Sequence, residues 1–263
     1  MPSTPGTPRT HSELIVEDGP VTRLTINRPE RHNAINTEVG DAMVDVITRV
    51  GRDPSVHVLV LAGEGRSFCS GDDVSEGGDA TIPDYPWKNP YHAPHIAAFN
   101  LERHPYFRMQ SLLRRIPQMV IAQVQGYCMG SGFDLLLASD YAIADPDARL
   151  RMIIPATAFL PKYLGLKQAT RLILDDQFIS ATEAAELGLV TSVAEPGELR
   201  EEVDELANRL AAMGRERHGY LGAMKEAMNR SLWPHLDDDL RMQLITHRMS
   251  DLYRQHPYEA GLD

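Results

Sequence analysis

The chain has 263 residues, of which 43% are apolar and 24% charged, with a formal net charge of −11. That length and balance suit one large folded domain with a substantial core, and they exclude wholesale disorder. The acidic surplus argues against nucleic acid or an anionic membrane as partner, while leaving room for a local basic pocket. In chain order, Met1–Thr10 is rich in Pro, Thr and Ser without an apolar period, so residues 1–12 read as a disordered tail. Leu14–Glu17 and Val21–Asn27 flank Asp18-Gly19-Pro20 and read as a hairpin. Val39, Met43, Val46, Ile47 and Val50 recur at helical spacing, and Val56–Ala62 is a continuous apolar strand.

The segment Ser75–Pro105, with Tyr85, Trp87, Tyr91, His92, His95 and His104 among prolines and glycines, reads as a long surface loop that shapes a pocket. Phe99–Arg115 is expected to be helical, Met119–Gln125 a buried strand, Leu135–Ser139 helical and Tyr141–Ala144 a strand. Ser180-Ala181-Thr182-Glu183 has the form of a capping box opening a short helix that stops at Gly188, ahead of a strand over Val190–Ala194. After Pro196 the pattern is helical to about Arg254. The fold class is therefore α/β, with an α/β unit over 13–196 and a helical region over 197–263.

Cys69 and Cys128 are too few for a disulfide framework and lack metal-ligand spacing, which suits reduced thiols in a cytoplasmic protein. The apolar runs are core-sized and no secretory leader pattern opens the chain, so no membrane association is expected. Three histidines in the 75–105 loop lack zinc-type spacing, and no metal is assigned.

The most informative stretch is Ile121–Leu135. An apolar strand ends in Gly126, Gly130 and Gly132, and Asp134 follows as a helix begins. Such a turn leaves backbone N–H groups at a helix N-terminus, where they favour negative charge. Read alone, it is better taken as a tight turn with close helix packing, and Asp134 as a residue that suits the helix dipole.

Four segments in order resemble the crotonase superfamily, the enoyl-CoA hydratase/isomerase family. Asn27-Arg28-Pro29-Glu30-Arg31-His32-Asn33-Ala34-Ile35 is similar to its Asn-Arg-Pro opening, and Phe68-Cys69-Ser70-Gly71-Asp72-Asp73-Val74 to its Phe-Cys-Ser/Ala-Gly-x-Asp loop. Gly126–Leu135 resembles its glycine-rich turn, and Ile179–Ala184 with Gly188-Leu189-Val190 its later landmarks. The resemblance implies a spiral of ββα turns with C-terminal helices that assemble trimers or hexamers. It implies an acyl-CoA thioester substrate and no cofactor beyond that coenzyme A. The backbone N–H groups of Asp72 and Ser131 would form an oxyanion hole for the thioester carbonyl, with Asp134 at the position of a catalytic Glu. Arg28, Arg31, Asn33, Ala34, Ser70, Asp72, Asp73, Val74 and Lys225 would lie along the coenzyme A moiety.

Two departures stand out. The family's second catalytic Glu has no counterpart in Ala148–Phe159, and the glycine-rich turn before Pro161-Lys162-Tyr163-Leu164-Gly165 is missing. Concerted hydration is harder with one carboxylate, whereas a single base suffices to move a proton between carbons. Hydratase or isomerase is the leading reading. A decarboxylase or C–C hydrolase of the same fold, a non-catalytic acyl-CoA-binding protein and an unrelated α/β protein stand as alternatives.

Overall fold

The computed structural model describes residues 9–11, 13–73, 105–152, 156–243 and 246. Its first three strands, β1 (Arg9–His11), β2 (Leu14–Glu17) and β3 (Val21–Ile26), form an antiparallel meander. The hairpin expected around Asp18-Gly19-Pro20 is present, with the Thr22 hydroxyl donating to the Gly19 carbonyl at 3.0 Å. β1 corrects the expectation of a structureless tail through residue 12. Backbone pairing with Leu14–Val16 orders it, and such pairing needs no apolar period.

The chain then repeats one unit: a strand in a large sheet, a short extended piece in a second layer, and a helix. After β3, Ile35 supplies the extended piece and α1 (Thr37–Arg52) the helix. Asn36 caps α1 by accepting the Val39 N–H at 2.9 Å, and Val39, Met43, Ile47 and Val50 fill its buried stripe. β4 (Val58–Gly63) is followed by the bridge residues Cys69 and Asp72, and later by α2 (Pro105–Arg115). β5 (Met119–Val124), β6 (Tyr127–Met129) and α3 (Ser131–Ala138) make the next unit. β7 (Tyr141–Ala144), β8 (Arg149–Arg151) and α4 (Leu160–Asp175) make another. The short β9 (Ile179–Ser180), α5 (Ala181–Glu186) and β10 (Ser192–Val193) follow, then α6 (Leu199–Glu216) and α7 (Tyr220–Leu232), with residues 236–243 helical again.

The large sheet runs β1-β2-β3-β4-β5-β7-β10, parallel from β3 onward, and the small one runs β6-β8-β9. Isolated bridges Ile35 to Asp72 and Cys69 to Cys128 extend the second layer back along the spiral. The ββα spiral thus follows from the pairing itself. The central strands β4 and β5 are buried on both faces, as continuous apolar runs in a parallel sheet should be. Leu59 and Leu61 enter one core with α1 to α4, while Val58 and Val60 alternate to the other, where Leu199, Val203, Leu206 and Leu210 of α6 cover them. Residues beyond 196 therefore share the core of the sheet.

α4 and the small sheet have no counterpart in the sequence pattern, α3 begins four residues before the expected Leu135, and β10 is shorter than the expected Val190–Ala194. α4 lacks a continuous apolar stripe: Gly165 breaks its helical geometry at φ +71, and Leu160, Ala169 and Leu172 alone are buried. The anticipated 75–105 loop with its His, Tyr and Trp residues lies outside the described residues, apart from Pro105 at the start of α2. Among the described residues no helix is long and apolar enough to cross a membrane.

One buried ionic cluster joins α2, α7 and the start of β7. Asp140 accepts the Val120 N–H at 2.8 Å and pairs with Lys225 at 2.7 Å and Arg114 at 3.2 Å, all three side chains being at most 5% exposed. Removing the anion would strand two cations in a low-dielectric interior. Asp140→Ala should lower unfolding free energy by about 3–5 kcal/mol, read from the urea midpoint. Arg230→Ala, which breaks an exposed pair with Glu226, should barely move it.

Candidate active site

The site lies at the carboxyl ends of β4 and β5, where the chain leaves the large sheet for the second layer. Gly126 makes that switch at φ +54, and a Cβ there would collide with the Arg66 carbonyl. Gln125 secures the corner by donating to the carbonyls of Gly63 at 2.7 Å and Gly65 at 3.2 Å. After β6, Gly130 turns the chain at φ +51 into α3. A Cβ on Gly132 would stand 2.5 Å from the Cys69 carbonyl oxygen. The glycines let the first turn of α3 lie directly on the Cys69–Asp72 strand.

Gly71, at φ +98, completes the approach from the other side. A Cβ on it would come within 3.4 Å of Gly130 Cα and 3.5 Å of the Ser131 nitrogen. Ile35 donates its N–H to Gly71 O at 2.8 Å and accepts the Asp73 N–H at 2.9 Å. Peptide groups alternate along an extended strand, so the N–H of Asp72 faces away from Ile35. Ser131 opens α3, and a first-turn N–H has no acceptor within its own helix. The Ser131 hydroxyl donates to the Asp72 carboxylate, tying the two segments together.

Asp134 lies in the first turn of α3, three residues after Ser131, and is 4% exposed. Gln110 of α2 donates to its Oδ2 at 3.2 Å, and Gln243 donates to both carboxylate oxygens at 3.3 Å. Gln243 is itself held by the Ala158 N–H, which donates to its Oε1 at 2.9 Å. Burial pushes the Asp134 carboxyl well above the usual range, the negative charge of Asp72 adds to this, and the two glutamine donors oppose it. A carboxylate so placed is poised to hold a proton at higher pH than an exposed one.

α2 braces α3 at both ends. One turn beyond Gln110, Arg114 donates to the Ala138 and Ser139 carbonyls at 3.2 and 3.0 Å, where α3 ends, and its guanidinium lies 4.7 Å from the Trp233 ring centre. The segment 148–159 contains no Asp or Glu. What it contributes is the Ala158 N–H that orients Gln243. Gln110 and Gln243 escaped the sequence reading, although a glutamine between the buried Met109 and Leu113 was a usable sign.

The residues assigned to coenzyme A divide. Arg28 is buried, with Nη1 on the Ala34 carbonyl at 2.6 Å, Nη2 on Asp73 at 2.8 Å and Nε on Glu13 at 3.0 Å. It is a strut of the 28–36 loop, with the buried Asp73 as its partner. Asn33 accepts the Arg28 N–H and donates to the Glu64 and Ser67 carbonyls, and Ala34 is buried. Their side chains shape the loop. Lys225 is 1% exposed, donates to Leu113 O and Gln118 O at 2.7 and 2.9 Å, and pairs with Asp140. Burial lowers its pKa to about 8. Arg31 is exposed, and Ser70 donates to its carbonyl. Val74 lies outside the described residues. The exposed Arg66 sits 3.0 Å from His32 Nε2, and His32 packs edge-on against Tyr127, a basic and aromatic surface the sequence reading did not single out.

A cavity of about 590 Å³ lined by His57, Gln118 and Arg217 lies at the opposite, amino-terminal ends of β4 and β5 and does not reach Asp134. Among the described residues no group of three His, Cys, Asp or Glu is placed to hold a metal ion.

Comparison with known proteins agrees with this architecture. The family model described as enoyl-CoA hydratase/isomerase matches residues 17–255. The chain is 32% identical to the 1,2-epoxyphenylacetyl-CoA isomerase of Escherichia coli K12, over 94% of this chain and 92% of that protein. It is 30% identical to the short-chain-enoyl-CoA hydratase of Clostridium acetobutylicum, over 88% and 85% respectively. Among solved structures, an enoyl-CoA hydratase from Mycobacterium avium subsp. paratuberculosis superposes with a TM-score of 0.75 at 25% identity, over 90% of this chain and 89% of that one. With this match and this spiral, the chain belongs to the enoyl-CoA hydratase/isomerase family of the crotonase superfamily.

Proposed function

We propose that the protein is an acyl-CoA isomerase that moves a proton between two carbons of the acyl chain through a thioester enolate. The observation that carries this reading is Asp134: one buried carboxylate, fixed by two glutamines, with no second carboxylate from the segment where family hydratases supply theirs. Asp134 takes a proton from the acyl chain, and the C–H electron pair moves into the conjugated system to leave negative charge on the thioester oxygen. The N–H groups of Asp72 and Ser131 receive that charge, and Asp134 returns the same proton at the other carbon. Each hole donor is worth roughly two to three orders of magnitude in turnover. The name of the E. coli relative, 1,2-epoxyphenylacetyl-CoA isomerase, supports isomerisation, whereas the C. acetobutylicum relative is named a hydratase.

The charge acting on Asp134 is another acid, Asp72, so an acyl group carrying its own carboxylate would meet repulsion. That favours neutral acyl chains and disfavours decarboxylation. Among the described residues, the exposed Arg31 and Arg66 are cations placed to meet the coenzyme A phosphates, with Arg28 and Lys225 buried. We assign the protein to the cytoplasm and its working form to a homotrimer or hexamer built through the helices after 196.

Asp134→Asn should lower turnover of a 3-enoyl-CoA by about two to four orders of magnitude while isothermal titration still detects the ester. Unchanged turnover would overturn the role of Asp134, and turnover confined to malonyl- or β-diketo-CoA in a substrate screen would overturn the reaction class. A second expectation concerns pH. Activity needs Asp134 ionised, so it falls as pH drops through the raised pKa. Gln110→Leu removes a donor that favours the ionised form, and should move the acid limb of the kcat profile to higher pH by about one unit.

A further inference from the structure

Asp72 has contacts that its backbone role does not use. Its carboxylate accepts the Ser131 hydroxyl, and its charge acts on Asp134. Ser131 and Asp134 are three residues apart on α3 and share a helix face, so this anchor holds Asp72 over the face that bears the buried acid. Among the described residues, the other groups against Asp134 are neutral. Gln110 from α2 and Gln243 from the 236–243 helix are amides. Cys128 of β6 and its bridge partner Cys69 are buried thiols, both pushed up by burial, Cys69 to about 12. Among the described residues, Asp72 is the charge that acts on Asp134. Neighbouring carboxylates resist ionising together, which makes one of them keep a proton more tightly.

We propose that Asp72, anchored through its side chain by Ser131, is a positioning residue that holds a fixed negative charge against Asp134, so that a proton taken from the acyl chain stays there until it is delivered to the second carbon. The inference rests on the reading of Asp134 as the base. It explains how one carboxylate serves both halves of a proton shuttle. The anion that replaces the family's second carboxylate comes from the Phe68–Asp73 loop, and it acts on the base without touching the substrate.

Carboxyl ¹³C NMR of the full-length, aspartate-labelled protein tests this without substrate, with the Asp134 resonance assigned by its loss in Asp134→Asn. Asp72→Asn keeps an oxygen for the Ser131 hydroxyl and removes only the charge. It should move the Asp134 midpoint down by about one pH unit, with the acid limb of kcat following. Ser131→Ala keeps the charge, frees the carboxylate, and should give a smaller shift in the same direction. An unmoved midpoint in folded Asp72→Asn overturns the proposal; if that variant does not fold, an unmoved midpoint in Ser131→Ala does so. A shifted midpoint together with wild-type turnover in Asp134→Asn would leave the control by Asp72 standing and remove Asp134 as the base.

Discussion

The close contact between the Cys69–Asp72 strand and the first turn of α3 is the constraint on which the site depends. Three glycines make it possible, two through backbone conformation and one through space. Gly71 and Gly130 adopt left-handed φ values, and Gly132 leaves space where a Cβ would press on the Cys69 carbonyl. Widening the seam by one side chain would part Ser131 from Asp72 and carry the buried acid away from both. The bridges that flank it, Ile35 to Asp72 and Cys69 to Cys128, tie the seam to the spiral, so local backbone geometry and global fold select the same arrangement.

Burial of Asp134 has an energetic cost that the surrounding elements offset. Desolvation disfavours the charged form, and two amide donors from distant parts of the chain favour it. The balance leaves the carboxyl well above the usual range of a surface acid, with burial as the main cause. α2 contributes to this twice, since Gln110 orients the acid and Arg114 holds the far end of the same helix. A rigid frame matters because misplacing a base by about an ångström costs orders of magnitude in rate.

What was legible in the sequence is what short-range pattern determines. The Asp18-Gly19-Pro20 hairpin, the periodicity of α1, the apolar runs of β4 and β5 and the Ser180 cap all came from neighbours within a few residues. The glycines with Asp134 beyond them marked the site for the same reason. The rest depended on partners far along the chain. β8 and β9 exist because each pairs across the second layer, and α4 is too broken by Pro161 and Gly165 to announce itself. Arg28 and Lys225 read as ligand-binding cations because Asp73 and Asp140, which neutralise them, are remote in sequence. Burying a cation requires such a partner, and sequence spacing cannot reveal it.

Gln243 alters the meaning of the helical region. Read as a pattern, everything after Pro196 is an appendage suited to assembly. In the fold, α6 covers one face of the sheet, Trp233 packs against Phe159 and Arg114, and Gln243 reaches the carboxylate of Asp134 while holding the Ala158 N–H. The amide has no freedom in this position. Its oxygen faces a donor and its nitrogen faces acceptors, so a flipped amide would set N–H against N–H and oxygen against carboxylate. Any displacement of the 236–243 helix therefore withdraws a donor from Asp134 and uncovers the Ala158 N–H together. The ionisation of the acid is thereby linked to the packing of the chain's last described helix. In this family member, the packing of that region and the environment of the buried acid share one side chain.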